Sequence, residues 1–76
     1  MVELSYTRHA LRRMARRRIT EAMIEGALTN PDWRVPTLRN SRYDARVGDR
    51  RLVVIVALEH SPPVVVTVWW EGEDDD

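Results

Sequence analysis

The first twenty residues carry apolar positions with the spacing of an α-helix. Each residue of an α-helix turns by about 100°, so Ala10, Leu11, Met14 and Ala15 fall within one arc. Thr7 precedes this segment and belongs to the residue types that cap helix N-termini. We therefore predict an amphipathic helix that docks on the rest of the domain through this arc.

The polar side of this predicted helix is basic. His9, Arg13 and Arg17 recur every four residues and form a line along one edge of the apolar arc. Arg12 and Arg16 lie further around the circumference. Arginine-rich flanks are most often only solvated surfaces, and a lone histidine is more often structural than catalytic. The regular spacing nevertheless makes this line the first place to look for chemistry.

A second helix and several strands follow. Thr20 predicts the start of the second helix, and Asn30-Pro31 predicts its end, because the residue before proline avoids the α region. Beyond Pro31 the period changes from helical spacing to alternation or continuous apolar runs. We predict strands at 42–47, 52–58 and 64–70, an edge strand containing Trp33, Val35 and Pro36, and a short lead-in strand at Val2 to Leu4.

This order of elements predicts the fold class. Helices that precede the strands, instead of alternating with them, indicate an α+β domain. We expect two N-terminal helices packed on one face of a three- to four-stranded antiparallel sheet. Residues 1–70 would form this single domain, and residues 71–76 a disordered acidic tail.

Composition disfavours several kinds of site. The chain has no cysteine, which removes disulfides and thiolate metal ligands, and its two histidines have no surrounding carboxylate cluster. The N-terminus lacks a signal-peptide pattern, and no apolar run approaches the ~20 residues that span a bilayer. We expect no metal, no cofactor, no membrane partner and a cytoplasmic location, and leave the oligomeric state open.

The net charge of zero conceals an asymmetric distribution. Residues 1–20 hold six arginines and one acidic residue, whereas residues 71–76 hold five acidic residues and no basic one. All 12 basic residues are arginine, whose guanidinium forms bidentate contacts with phosphate. This distribution predicts an anionic partner for the N-terminal part. The tail would be an intramolecular decoy for the basic helix or simply a solubilising segment.

The strands add a second group of basic and aromatic residues. Arg46, Arg51, Tyr43 and Trp69, with the adjacent Arg50 and Trp70, are of the types that hold phosphates and stack bases. Such a group arises easily in any arginine-rich chain. Thr67 is the one polar residue in VVVTVWW. One interpretation is that it is present for strand propensity alone; otherwise it hydrogen-bonds locally in the core or opens onto the other face of the sheet beside Trp69.

These residue types fit a reaction that needs no metal. The chain has no glycine-rich phosphate loop, no serine elbow and no pair of carboxylates with metal-binding spacing. RNA supplies its own nucleophile, the 2′-OH. A protein therefore needs only an acid or base, which an imidazole provides near neutral pH, and cations that stabilise the phosphorane.

The run YTRHALRRMARRRIT, followed by GDRRLVVIV and VVVTVWW, resembles the bacterial domain-of-unknown-function family 4258. The resemblance covers residues 5–70 and implies kinship with RelE-like and barnase/colicin-like RNase toxins, with an antitoxin protein as a partner. The family pattern has glycine where this chain has Arg18, so the turn between the helices must be made differently. The matching residues are His9, Arg13, Arg17, Ile19, Arg51 and Thr67.

We therefore expect a small toxin-like, metal-independent ribonuclease, or a degenerate relative of one. His9 would be the acid/base or a phosphate ligand, Arg13 and Arg17 would clamp phosphate, and Thr67 would orient the scissile group. Nucleic-acid binding would use Arg12, Arg16, Arg46, Arg51, Tyr43 and Trp69. The alternative is a non-catalytic nucleic-acid- or protein-binding module on the same fold. The catalytic hypothesis requires His9, Thr67 and Arg51 to converge on one anion pocket.

Overall fold

In the computed structural model, which describes residues 3–73, the chain forms two helices and one mixed sheet of five strands. The sheet order is β1-β5-β4-β3-β2; β1 is parallel to β5 and the other neighbours are antiparallel. The helices are α1 (Arg8–Arg17) and α2 (Glu21–Thr29), and the strands are β1 (Ser5–Tyr6), β2 (Trp33–Pro36), β3 (Ser41–Val47), β4 (Arg50–Ala57) and β5 (Val64–Trp70).

The α+β class and the two N-terminal helices are confirmed, but the predicted three- to four-stranded antiparallel sheet is imprecise. The lead-in strand lies at Ser5–Tyr6, with Glu3 and Leu4 outside it, and it adds a parallel edge to β5. Val2 lies outside the described residues. The N–H of Thr7 donates to the Val65 carbonyl at 3.1 Å, which continues this pairing up to the start of α1.

Both predicted helix caps are confirmed. The Thr7 hydroxyl oxygen accepts from the N–H of Ala10 at 3.0 Å, and the Thr20 hydroxyl oxygen accepts from the N–H of Met23 at 3.1 Å. Each cap satisfies a backbone donor that has no partner within its helix. The N-terminus of each helix is thus set by its local sequence.

The helices pack on the same face of the sheet. α1 lies mainly on β5, and α2 lies on β3 and β4. Helix residues Ala10, Met14, Ile24 and Ala27 join Ile19 and strand residues Tyr43, Ala45, Leu52, Val54, Val56, Val65, Val68 and Trp70 in one buried cluster. Neither helix is long and apolar enough to cross a membrane.

α1 docks through a different arc from the one we predicted. Ala10 and Met14 are buried as expected, but Leu11 is 49% exposed and Ala15 is exposed as well. The pattern of residue types therefore identified half of the docking face correctly. The prediction that all four apolar residues dock was wrong.

Arginine side chains replace the missing apolar residues on this face. Arg13 and Arg17 are half-buried and, with Ala10 and Met14, give the i, i+3, i+4, i+7 spacing of a docked helix. Long arginine stems cover apolar surface while their guanidinium groups reach solvent. The helix is therefore rotated so that the line of basic residues borders the sheet.

Residues at the start of the predicted acidic tail contact the domain. The N–H of Glu71 donates to the Arg51 carbonyl at 2.8 Å, and the N–H of Glu73 donates to the Trp70 carbonyl at 3.2 Å. The acidic residues 74–76 lie outside the described part of the chain. The domain contacts thus continue past the predicted boundary at residue 70.

Arg18 makes the turn between the helices in the conformation that favours glycine. It ends α1 with φ +58°, and the next N–H, from Ile19, donates to the Met14 carbonyl at 2.9 Å. A side chain in this left-handed region costs about 1–3 kcal/mol. The prediction that this turn must be made differently without glycine was therefore wrong, because Arg18 itself adopts the left-handed conformation of a glycine-capped helix end.

Arg18→Gly should therefore raise the free energy of unfolding by about 1 kcal/mol, because glycine adopts a positive φ without a side-chain clash. Urea unfolding followed by tryptophan fluorescence measures the change. Arg18→Ala removes the same charge but keeps a Cβ, so it should give no such gain. Equal gains for the two variants would assign the effect to charge and refute the conformational explanation.

Candidate nucleic-acid interface

The strand register separates the predicted site residues onto two faces of the sheet. Val68 belongs to the core beneath the helices, so its neighbour Thr67 points to the opposite face. Arg51 likewise precedes the core residue Leu52 and shares the face of Thr67. His9 is on α1, on the helix side. The expected convergence of His9 with Thr67 and Arg51 was wrong.

The reason is the two-residue period of a β-strand. Segments 52–58 and 64–70 are apolar at both alternating sets of positions, so the pattern did not reveal which set the helices cover. The register between β4 and β5 is also irregular. Ile55 pairs with Thr67 but Val56 pairs with Val65, so the regular alternation of faces along β5 is interrupted between these positions. Only the packed helices decide which side of the sheet each residue faces.

On the helix side, His9 and Arg13 lie in direct contact. The Nε–H of Arg13 donates to His9 Nε2 at 3.2 Å. His9 is exposed and Arg13 half-buried. In this arrangement Nε2 of His9 accepts a hydrogen bond from a guanidinium, which is a permanent cation.

The other end of the basic line meets the sheet at Arg50. Arg17 Nη1 lies 3.4 Å from Glu73 Oε1, and Arg50 Nη2 lies 2.5 Å from Glu73 Oε2. The Arg50 guanidinium carbon is 4.3 Å from the centre of the Trp70 ring. The indole N–H of Trp70 donates to the Arg17 carbonyl at 3.0 Å. His9, Arg13, Arg17 and Arg50 therefore form one border, which we call the basic seam.

Sequence reasoning placed Arg50 with the other strand arginines and treated Glu73 only as part of the tail. Arg50 lies two residues before Leu52 in β4, so both side chains are on the same face of the sheet. Leu52 belongs to the core beneath the helices, and Arg50 is therefore on the side of α1. The two-residue spacing between Arg50 and Leu52, the first apolar residue of the strand, could have predicted that they share a face. This spacing places Arg50 near α1 only when the face covered by the helices is known.

The opposite face carries a layer of arginine and tryptophan side chains, which we call the open face. The Arg51 guanidinium carbon is 4.1 Å from the Trp33 ring centre, and that of Arg42 is 5.8 Å from the Trp69 ring centre. Thr67 is half-buried beside Trp69. These cation–π contacts already occupy one surface of each indole.

Arg42 is held on the open face by a buried carboxylate. Its Nε and Nη2 donate to the two oxygens of Asp44 at 2.8 and 3.1 Å, and Nη2 also donates to Glu71 at 3.1 Å. Asp44 is only 1% exposed. The hydrogen bonds to Asp44 raise the pKa of Arg42 further above its already high ordinary value, while burial acts in the opposite direction. This arrangement indicates a structural role for Arg42.

The remaining predicted binding residues differ in accessibility. Arg12, Arg16 and Arg46 are exposed, and Arg46 lies directly across the strands from Arg51. Tyr43 is 7% exposed and its ring faces the Arg34 guanidinium at 5.5 Å. Stacking of a base on Tyr43 is therefore blocked, and its predicted role in binding is corrected. Residues 3–73 contain no cluster of three or more histidine, aspartate or glutamate side chains suited to a metal ion.

An α+β domain with this arginine-rich first helix matches an existing family. The chain belongs to the family described as domain of unknown function (DUF4258), whose model matches residues 6–70. The matched region runs from β1 to the end of β5 and includes the whole basic seam. Neither a curated protein nor a solved structure is significantly similar to the chain.

Arg42→Met should lower the free energy of unfolding by about 1.5–3 kcal/mol, because it leaves the Asp44 carboxylate buried without its charged partner. Glu71→Gln removes only the exposed half of the same network and should cost less than about 1 kcal/mol. Urea denaturation of both variants provides the comparison. Similar losses for the two variants would contradict a structural role for the Arg42–Asp44 pair.

Proposed function

We propose that this protein is an RNA-binding module whose principal contact is the outer surface of α1. The observation that carries the proposal is the density of positive charge there. Residues 8–18 contain six arginines and no acidic residue. Four of the six are exposed, namely Arg8, Arg12, Arg16 and Arg18.

A surface of this kind suits phosphate contacts. Electrostatic attraction to the phosphate backbone supplies most of the affinity of sequence-independent nucleic-acid binding. The half-buried stems of Arg13 and Arg17 limit their motion, so less side-chain entropy is lost when a ligand binds. The exposed arginines add charge around the same helix, which supports a single continuous interface.

RNA is the proposed ligand because of the imidazole within this interface. His9 accepts a hydrogen bond from Arg13 at 3.2 Å and is exposed to solvent. A phosphate held by the basic seam would bring a neighbouring 2′-OH towards this ring, and DNA has no such group. Kinship with RelE-like and barnase/colicin-like toxins is a hypothesis that would agree with RNA as the ligand. The same hypothesis would imply an antitoxin protein as a partner and a cytoplasmic location.

Metal-independent RNA cleavage is the second candidate, and the exposed position of His9 on the arginine-rich helix α1 favours it. Nε2 of His9 would accept the 2′-OH proton after Arg13 moves its hydrogen bond from that nitrogen to the phosphate, and Arg13 and Arg17 would then stabilise charge on the phosphate. Thr67 and Arg51 would take no part, because they lie on the open face. Cleavage would thus depend on residues of α1 alone, without the help from Thr67 and Arg51 that we predicted from the sequence.

RNA binding should depend on α1 more than on the total charge. Arg12→Gln/Arg16→Gln should weaken binding to a fluorescent single-stranded RNA and reduce the slope of log affinity against log salt by about 1.4, or 0.7 per lost phosphate contact. Fluorescence anisotropy at several salt concentrations measures both quantities.

Arg34→Gln/Arg39→Gln is the matched control, because it removes two exposed arginines from the end of the sheet away from α1. It should change the slope much less. Equal effects of the two double variants would reject α1 as the interface. No measurable RNA binding by the unaltered protein at low salt would reject the proposed function.

The cleavage candidate predicts loss of activity in one histidine variant. In EDTA, His9→Ala should lower the rate of RNA cleavage by about 100-fold, as expected for removal of a general base. His60→Ala removes the other histidine, which is exposed outside the helices and strands, and should cleave normally. Thr67→Val should also remain active. Cleavage by His9→Ala at the unaltered rate would eliminate this candidate and leave RNA binding in place.

A further inference from the structure

The Glu73 carboxylate lies between two arginines that come from distant parts of the chain. It contacts Arg17 from the last turn of α1 at 3.4 Å and Arg50 from the start of β4 at 2.5 Å. Each arginine contacts a different carboxylate oxygen. The two guanidinium groups therefore share one anion.

Trp70 contacts the side chain of Arg50 and the backbone of Arg17 independently of Glu73. Its ring lies beneath the Arg50 guanidinium, with 4.3 Å between the guanidinium carbon and the ring centre. Its indole N–H donates to the Arg17 carbonyl at 3.0 Å and so fixes the end of α1. Trp70 is buried in the core. The stacked Arg50 guanidinium and the helix end that carries Arg17 are therefore held by contacts that do not involve the Glu73 side chain.

We propose that Arg17 and Arg50 form a phosphate-binding site above Trp70, and that Glu73 occupies this site in the uncomplexed protein. The ligand is a phosphate group; if the proposed function holds, on which this assignment of the ligand rests, it is a phosphate of the RNA backbone. The carboxylate stands in for two of the phosphate oxygens. Paired guanidinium groups suit phosphate because they supply several charge-assisted hydrogen bonds.

The position of the site supports this ligand. Arg17 ends the line that begins with His9 and Arg13, and Arg50 extends that line onto the sheet. An RNA strand bound along the basic seam would therefore place one of its phosphates between Arg17 and Arg50. At that point it would meet Glu73, the acidic residue that contacts both arginines.

Glu73 is suited to be a displaceable occupant. Its side chain is 30% exposed, and that of Arg50 is 47% exposed. Ion pairs with this exposure are weak because water and salt screen both charges. A multiply charged phosphate ligand can therefore compete with Glu73 for Arg17 and Arg50. Glu73 belongs to the same chain as these arginines, so its local concentration at the site is high.

Glu71 provides a matched control for this proposal. It carries the same charge two residues earlier, but it pairs with Arg42 on the open face. Glu71→Gln and Glu73→Gln change the net charge and the local sequence equally. Only Glu73→Gln removes a carboxylate from the Arg17–Arg50 site.

The first experiment is titration with inorganic phosphate, followed by the NMR signal of the Trp70 indole N–H. Glu73→Gln should bind phosphate about two- to fivefold more tightly than the unaltered protein, corresponding to loss of one weak ion-pair competitor. Glu71→Gln should match the unaltered protein. Adding Arg50→Gln to Glu73→Gln should abolish the gain. The proposal is overturned if Glu73→Gln and Glu71→Gln bind phosphate equally, or if the gain survives loss of Arg50.

The second experiment repeats the comparison with single-stranded RNA by fluorescence anisotropy. Glu73→Gln should again bind more tightly than Glu71→Gln, and the gain should again require Arg50. RNA binding without a specific gain in Glu73→Gln for either ligand supports the proposed function and overturns this inference. A specific gain for phosphate with no RNA binding by any variant supports the site and rejects RNA as its ligand.

Discussion

The attachment of α1 to β5 determines which arginines can act together. The Thr7 hydroxyl donates to the Val66 carbonyl at 2.7 Å at one end of the helix, and the Trp70 indole donates to the Arg17 carbonyl at 3.0 Å at the other. Between these contacts Ala10 and Met14 pack into the core. With both ends fixed, the rotation of the helix is fixed, and its basic line must follow the sheet border that contains Arg50.

Arginine has two different structural settings in this protein, although the residue type is the same. On the open face, Arg42 is held by the buried Asp44 and covers the sheet together with Trp69. Val53 beneath this layer is fully buried even though no helix covers it. On α1, Arg12 and Arg16 are exposed. Composition alone did not separate the arginines held against the sheet from those on the outer surface of α1.

Much of the fold followed from local patterns, whereas the candidate site did not. Thr7, Thr20 and Pro31 marked helix ends because caps and proline act on the adjacent backbone. The predicted apolar arc of α1 included Leu11, which is exposed, because residue type does not show that an arginine stem can fill the docking face. The short parallel strand β1 was misplaced because two residues carry almost no periodic signal.

The sequence by itself determined the α+β class, the helix caps and the basic character of α1. Those features depend on residues close together in the chain, where backbone geometry and side-chain type suffice. The tertiary structure alone decided that Thr67 and Arg51 lie across the sheet from His9, and that Arg17 meets Arg50 and Glu73. A strand that is apolar on both faces fits either orientation, so only the packing of the helices chooses between them.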